Sequence, residues 1–562
     1  MPLVITSRHG GGRRLALTGL GLAAGMAFAG LVAVAAAPKF QPDDPLAREP
    51  EPADASRVEP FPIHLSWDLI SSLFAKEGEH ARRPAQDINT IGEVPDSSWF
   101  TNRAGSRPLT DAEVGRGPDT TNGPAPGPWT VMTGKSEGVR PGFTIRDSAG
   151  IDWYLKFDPP GYPEQATAAE VVSTKLFWAL GYHVAETHVA PLSRANLRLA
   201  PDAHITVNGK RRALTAGDIS RVLVQAARNA DGTYQALASR RLEGKPVGEF
   251  LYYGTRSDDP NDVVPHEHRR ELRGMVLAAA WLDRVDAKAG NTLDTLVSEG
   301  GRTIVRHHVL DFGSTLGSAG IGPNEYWEGH QYLYDGRTAA RKLFLFGFPV
   351  EGWRHISYPQ IRGVGRIDGD HFDPLAWKSR VPNAAYIRAD AEDLFWAATK
   401  IMAISDGMIA AAVKSGRYSD PAAERYLTET LIKRRNAIGR AALLAVNPVV
   451  QPVLDAGGTL RFQNAAVACG LAPAPTSYRT SWAVFDNNTG EVTMSLGTRD
   501  SSTTEVTAPA PLPTSPGALI RIELGAMSST HPVWVTPVRL YFRRGQTSWA
   551  LVGLERSAVA TP

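Results

Sequence analysis

Residues 282–313 read LDRVDAKAGNTLDTLVSEGGRTIVRHHVLDFG. An apolar, helix-period stretch, HEHRRELRGMVLAAAWLDRV, leads into them. The trio Asp286, Lys288 and Asn291 then falls in one short loop. Two β-patterned runs, TLDTLV and RTIVRHHVL, follow and are joined by the turn SEGG, so a hairpin is expected. The second run ends at Asp311-Phe312-Gly313. An Asp-x-x-x-x-Asn spacing suits a carboxylate that meets a substrate hydroxyl and an amide oxygen that meets a metal ion. A second carboxylate after an apolar strand can bridge Mg²⁺ to phosphates.

The upstream sequence supplies what such a trio needs. WTVMTG, GFTIRD and DWYLKF are short β-branched and aromatic runs separated by turn signals. The first two flank a loop carrying Gly134, Gly138 and Gly142, where backbone N–H groups can approach a polyphosphate without obstruction by a Cβ. Lys156 lies near the end of the third run. Glu170 follows in PEQATAAEVVSTKLFWALGY, which has a helical pattern. A strand lysine paired with a helix glutamate can hold nucleotide phosphates. Strands are expected again through HVAETHVAPL, RVLVQAA and YQALASRRLEG, and two long helical patterns over 386–415 and 420–445. At average composition, on the order of one chain in ten of this length contains a DFG by chance. All the parts in order, with a hairpin between two of them, are far rarer.

The set resembles the protein-kinase-like superfamily, in an atypical, exported bacterial form, over roughly residues 128–445. The resemblance implies that Lys156 binds phosphate with Glu170 as its partner. It makes Asp286 the catalytic base, sets Lys288 against the transferring phosphoryl group, and gives Mg²⁺ to Asn291 and Asp311. ATP and Mg are the cofactors it implies. Two departures stand out: the residues before Asp286 are Arg-Val where protein kinases have His-Arg, and no Ala-Pro-Glu follows Gly313. The implied function is Mg-ATP-dependent phosphoryl transfer to a protein, sugar, lipid or small alcohol. The alternatives are a catalytically silent binding module of the envelope and nucleotidyl transfer to protein at the same site.

The rest of the chain frames this region. At 562 residues, with 43% hydrophobic and 21% charged residues, it has the composition of a folded protein of several domains. A net charge of +2 with no run of Lys and Arg gives no footprint for nucleic acid. The lone cysteine, Cys469, excludes an intrachain disulfide and a thiolate metal cluster. Arg8, Arg13 and Arg14 precede an apolar run from Leu15 to about Ala37 that contains Ala33-Val34-Ala35. That pattern reads as an export signal or a membrane anchor facing the periplasm, and the paired arginines raise the twin-arginine route. Contact with a membrane is expected only through this segment, where it stays uncleaved.

The expected fold is α+β. Residues 1–37 are the signal or anchor, and 38–127 are a Pro-rich tether and N-terminal extension that wraps over a later domain. The extension includes a helix over LSWDLISSLFAKEGEHAR, with Leu65, Leu69, Leu73 and Phe74 on one face. A kinase-like N-lobe over 128–250 and a helical C-lobe over 251–450 follow, and 455–562 are an all-β, sandwich-like domain. His266 with His268, and Asp368 with Asp370 and Asp373, are weaker metal candidates, because helical spacing disfavours the first pair and the second lacks a closing glutamate.

Overall fold

The computed structural model describes residues 37–135, 140–207, 209–345 and 351–556. The apolar N-terminal run as far as Ala36, read from the sequence as an export signal or anchor, and Gly138 lie outside the described residues. The N-terminal extension contains helices α1 (Leu65–Phe74) and α2 (Asp111–Arg116). It runs over later parts of the chain: Phe40 packs on Phe485 and Tyr541, Ala55 and Val58 on Val247 and Val305, and Phe100 enters the main core. Helix α1 buries the face its pattern offers only in part, with Leu69 and Leu73 half-buried and Leu65 and Phe74 exposed.

The strands β1 (Trp129–Gly134), β2 (Gly142–Arg146), β3 (Asp152–Phe157), β4 (Thr187–Leu192), β5 (Leu197–Val207), β6 (Lys210–Ala213) and β7 (Tyr234–Arg240) form one sheet, ordered β4-β7-β3-β2-β1-β5-β6. β1 and β5 run parallel, and the other pairs are antiparallel. The β2–β3 turn is set by Asp147, whose carboxylate accepts from the Ala149 and Ile151 amides at 2.9 Å each and from the Trp153 indole at 3.0 Å. Period-2 alternation then buries Trp153, Leu155 and Phe157 on one face and puts Lys156 on the other.

Helix α3 (Gln165–Leu180) covers the Lys156 face, where Val171 meets Val189 and Leu237. Helix α4 (Ala216–Val224) covers the opposite face with Ile219 and Leu223. The run RVLVQAA falls partly within α4 and is helical, not a strand. Thr215 and Asp218 form a reciprocal cap, and the i, i+4 pair Ile219 and Leu223 is buried, which outweighs the β-branched composition.

The helical part holds α5 (Arg270–Leu282), α6 (Gly336–Phe344), α7 (Ala391–Met402), α8 (Asp406–Lys414) and α9 (Pro421–Leu443). The single helix expected over 386–415 is two. Ser405 accepts from the Met408 amide and starts α8 afresh, at 74° to α7. Strands β8 (Lys245–Gly248), β9 (Thr292–Glu299) and β10 (Arg302–Val309) form a small sheet containing the 292–309 hairpin, with Thr292 opposite Val309.

The C-terminal region comprises β11 (Val449–Leu454), β12 (Thr459–Asn464), α10 (Ala465–Ala468), β13 (Ser477–Asp486), β14 (Glu491–Ser501), β15 (Glu505–Thr507), β16 (Leu519–Met527), β17 (Val538–Arg544) and β18 (Trp549–Arg556). The strands make two antiparallel sheets, β11-β12-β15 and β14-β13-β16-β17-β18. Their apolar faces join one continuous core with α5, α7 and α9, and Trp534 donates its indole N–H to the Leu444 carbonyl at 3.3 Å.

Candidate active site

Three segments far apart in sequence meet in one charged junction. From β3, Lys156 Nζ lies 3.1 Å from Glu170 Oε1 on α3 and 3.1 Å from Asp311 Oδ1. Arg140, just before β2, pairs with Glu170 Oε2 and stands 3.5 Å from the same Asp311 oxygen. Side-chain exposure sorts the roles: Glu170 and Arg140 are each 4% exposed, Lys156 16%, and Asp311 48%. Glu170 is the buried anchor and Asp311 is the group that faces outward. Burial opposes ionisation of Asp311, yet Lys156 and Arg140 hold its carboxyl well below the ordinary carboxylate range. A third cation, Lys135, donates to the Arg140 carbonyl at 3.1 Å, and burial together with its two cationic neighbours pushes its pKa down to about 8.

The backbone at Asp311 is left-handed, with φ of 53°, a conformation aspartate tolerates better than most residues. The neighbouring Phe312 is buried against Phe177 of α3, with ring centroids 4.7 Å apart, and Arg284 covers its other side at 5.1 Å. Gly313 is required by a close approach, since a Cβ there would lie 2.3 Å from Arg140 Nη2. Beyond it, Thr315 and Ser173 of α3 share a hydrogen bond of 2.7 Å. The Asp-Phe-Gly turn is thus tied to the helix that carries Glu170.

The 286–291 loop joins the junction through the backbone. The Leu310 amide donates to the Asn291 carbonyl at 2.9 Å, and Arg284 Nη2 donates to the Leu310 carbonyl at 3.1 Å. Within the loop, Asn291 Nδ2 donates to the Asp286 carbonyl at 2.6 Å and to Asp286 Oδ2 at 3.1 Å. Lys288 Nζ lies 3.0 Å from Asp286 Oδ2, and Arg380 Nη1 lies 3.3 Å from Oδ1. Among the described residues, neither Asn291 Oδ1 nor Asp311 Oδ2 accepts a hydrogen bond. Both are hard oxygens of the kind that ligate a divalent cation of the Mg²⁺ type. Among the described residues Arg140 Nη1 is buried without a partner, and Lys135, Arg140 and Lys156 form a cationic group that suits phosphate oxygens.

Lys156, Glu170 and Asp311 therefore meet directly, and Asp286, Lys288 and Asn291 form a second knot hydrogen-bonded to Leu310, just past β10 and next to Asp311. Of the described glycines of the loop, Gly142 has another explanation. A Cβ on Gly142 would collide with the backbone carbonyl of Leu155, so strand packing requires glycine there, whereas one on Gly134 would meet only the side-chain ends of Ile205 and Leu214. Lys135, Arg140 and Arg380 were not singled out by sequence reasoning. The first two flank the glycine loop in GKSEGVRPG, a local signal of charge beside a phosphate-type loop. Arg380 lies 94 residues beyond Asp286 and has no such signal.

The weaker candidates are absorbed by the fold. His266 bonds the Leu251 carbonyl and Asp262, and His268 bonds Glu79 and Arg273, so both nitrogens of each ring are occupied. Asp370 pairs with Lys433, while Asp368 and Asp373 accept backbone amides of their own turn.

No protein-family model and no curated protein matches the chain. Among solved structures, it is similar to the Helicobacter pylori proinflammatory kinase CtkA, at 13% identity and a TM-score of 0.29, over 54% of this chain and 91% of that one. It is also similar to the golgi casein kinase, at 11% identity and a TM-score of 0.26, over 71% of this chain and 96% of that one. Scores this low leave the site to be read from its own geometry.

Proposed function

We propose that residues 128–445 form a two-lobed, kinase-like domain that transfers a phosphoryl group from Mg-ATP to a hydroxyl acceptor. The observation that carries this reading is the junction in which Lys156 and Arg140 bridge Glu170 to Asp311, with the Asp286–Asn291 loop hydrogen-bonded to Leu310 beside it. Lys156, with Arg140 and Lys135, faces the phosphates. Glu170 fixes the lysine, which would otherwise sample many rotamers. Asn291 and Asp311 hold the divalent ion, which when bound neutralises charge on the phosphates. Asp286 accepts the proton of the acceptor hydroxyl, and Lys288 offsets the charge on the transferred group.

The same proposal places the body of the protein outside the cytoplasmic membrane, behind the basic-headed apolar run of residues 8–37, with the strands from Val449 onward as a sandwich-like module. A reporter fused after Ala35 that is active only in the cytoplasm overturns that location. The reading of the site is tested by calorimetric titration of residues 38–562 with ATP, with and without Mg²⁺. Mg-dependent binding is expected, and Asp311→Asn is expected to weaken it at least tenfold without unfolding the chain. A parent that ignores Mg-ATP, or a variant that binds it as tightly as the parent, removes the assignment. Tight binding with no phosphate transfer to any hydroxyl, water included, selects the silent binding module instead.

A further inference from the structure

The carboxylate of Asp286 takes no support from the two residues before it. Val285 is buried and apolar, and the Arg284 guanidinium donates to the Asn291 and Leu310 carbonyls. Support comes instead from a segment that begins 94 residues later. The Arg380 amide donates to the Val285 carbonyl at 2.7 Å, and Asn383 Nδ2 donates to the Ala287 carbonyl at 3.3 Å. The backbone on both sides of Asp286 is therefore held by residues 380–383.

The Arg380 side chain adds a charged bridge between two carboxylates. Nη1 lies 3.3 Å from Asp286 Oδ1, while Nε and Nη2 lie 2.6 Å and 2.5 Å from Glu328 Oε1. Glu328 is a fixed support. Its side chain is 2% exposed, and Oε2 accepts from the Glu325 amide at 2.9 Å. The next residue, Gly329, accepts the Lys378 amide at 3.0 Å, which ties Glu328 to the segment that carries Arg380. A guanidinium is planar, so pairing Nε and Nη2 with Glu328 fixes where Nη1 points.

On its other oxygen, Oδ2, Asp286 accepts from Asn291 Nδ2 at 3.1 Å. The last torsion of an aspartate is soft. A partner on one oxygen leaves the carboxylate free to turn about it, and partners on both oxygens do not. Lys288 also lies on Oδ2, but its side chain is 37% exposed, and the proposed reaction directs it to the transferred phosphoryl group. Arg380 is then the cation that stays on Asp286. We infer that Arg380 is the positioning residue of the general base, with Glu328 as its buried support. The inference rests on the phosphoryl-transfer reading; within it Arg380 touches neither nucleotide nor acceptor and acts only through Asp286.

The test is single-turnover release of inorganic phosphate by the full chain over a range of Mg-ATP concentrations. The parent, Arg380→Met, Asp286→Asn and the double variant are compared. Arg380→Met is expected to lower the maximal rate at least about tenfold, since a displacement of about 1 Å can cost about 10²-fold. The half-saturating Mg-ATP concentration is expected to stay within about twofold. In the Asp286→Asn background the same substitution is expected to change the rate by less than about twofold, because no base remains to be positioned. A purely structural role gives equal factors in both backgrounds. Arg380→Met leaves Glu328 buried without its cation, so Arg380→Met combined with Glu328→Gln, which removes both charges, is the second variant. The same kinetic pattern is expected of it, and thermal unfolding reports whether each chain is folded. With a parent that releases phosphate, a fall of less than about tenfold, equal factors in the two backgrounds, or a half-saturating concentration that rises as far as the rate falls overturns the inference and leaves the phosphoryl-transfer reading standing. Failure of both variants to fold does the same, by making Arg380 a structural residue. A parent that releases no phosphate overturns both.

Discussion

Replacing Asp286 by asparagine separates catalysis from stability, because the structure sets a magnitude for each. The carboxylate holds Lys288 at 3.0 Å, Arg380 at 3.3 Å and the Asn291 amide at 3.1 Å. Both cations are partly exposed, so each pair contributes roughly 0.2–1 kcal/mol after solvent screening. The amide hydrogen bond adds about 1 kcal/mol. Asparagine keeps one acceptor for Arg380 but turns an N–H₂ toward two other donors. The expected loss is therefore about 1–3 kcal/mol, a fall of a few °C in Tm for a chain this long, with the protein still folded at 25 °C. That loss is expected whether the loop is catalytic or structural, so a lowered Tm decides nothing. The rate does decide. With Asp286 as general base, turnover falls by about 10²–10⁴, or about 3–5 kcal/mol of barrier, while Mg-ATP affinity changes by no more than about twofold. Water can serve as the acceptor, so the assay is single-turnover release of inorganic phosphate from Mg-ATP, with unfolding measured on the same sample. Phosphate release within about threefold of the parent at unchanged nucleotide affinity refutes the assignment and leaves the trio as an ion-paired turn.

Further outcomes follow from the same contacts. Lys156→Met leaves Glu170 paired with Arg140 and is expected to fold, with Mg-ATP affinity at least tenfold lower by calorimetry. Arg140→Met removes the partner of Glu170 that is itself only 4% exposed, whereas Lys156 is 16% exposed, so it is expected to lower Tm further than Lys156→Met does; the reverse order in thermal unfolding contradicts the anchoring role. Gly313→Ala puts a Cβ against the Arg140 guanidinium and is expected to cost about 1–3 kcal/mol, but close to nothing when Arg140 is already alanine. A double-mutant cycle in urea shows whether the two effects are coupled. Burial holds His183 down to about 3 and His308 well below its ordinary value. The folded chain therefore keeps both neutral where the unfolded chain takes up protons below about pH 6.5. Stability should fall as pH drops from about 6.5 toward 3, with a slope of up to about 1.4 kcal/mol per pH unit for each histidine. Urea midpoints measured from pH 7 to 4 are expected to show a shallower fall in His183→Gln than in the parent.

Much of the local structure is written in short-range pattern. The turn residues around Gly300 and Gly301 and the alternation of the flanking runs specify the β9–β10 hairpin, because side-chain period and turn geometry are both local. The Asx turn at Asp147 and the alternation in DWYLKF decide which face of β3 carries Lys156. Even the helix that takes in residues 221–224 carries a local signal, in Thr215 and Asp218 three residues apart ahead of Ile219. The order Lys156, Glu170, Asp286, Asn291, Asp311 is likewise visible in the chain.

What tertiary structure alone decided is which charges meet. Glu170 and Asp311 share Lys156 and Arg140 across 141 residues, and Asp286 draws Arg380 from 94 residues away. Coulomb energy depends on separation and on how far the surroundings exclude water, and neither quantity is encoded in spacing along the chain. Gly142 shows the same limit, since only the pairing of β2 with β3 brings the Leu155 carbonyl where a Cβ would have to sit. Arg556, at the end of β18, lies over the Phe395 ring of α7 at 4.4 Å, a pairing that no local pattern in the chain announces. Local propensity and turn chemistry thus determined where elements begin and which way their side chains face, while packing between distant elements determined which of those side chains lost water and found one another.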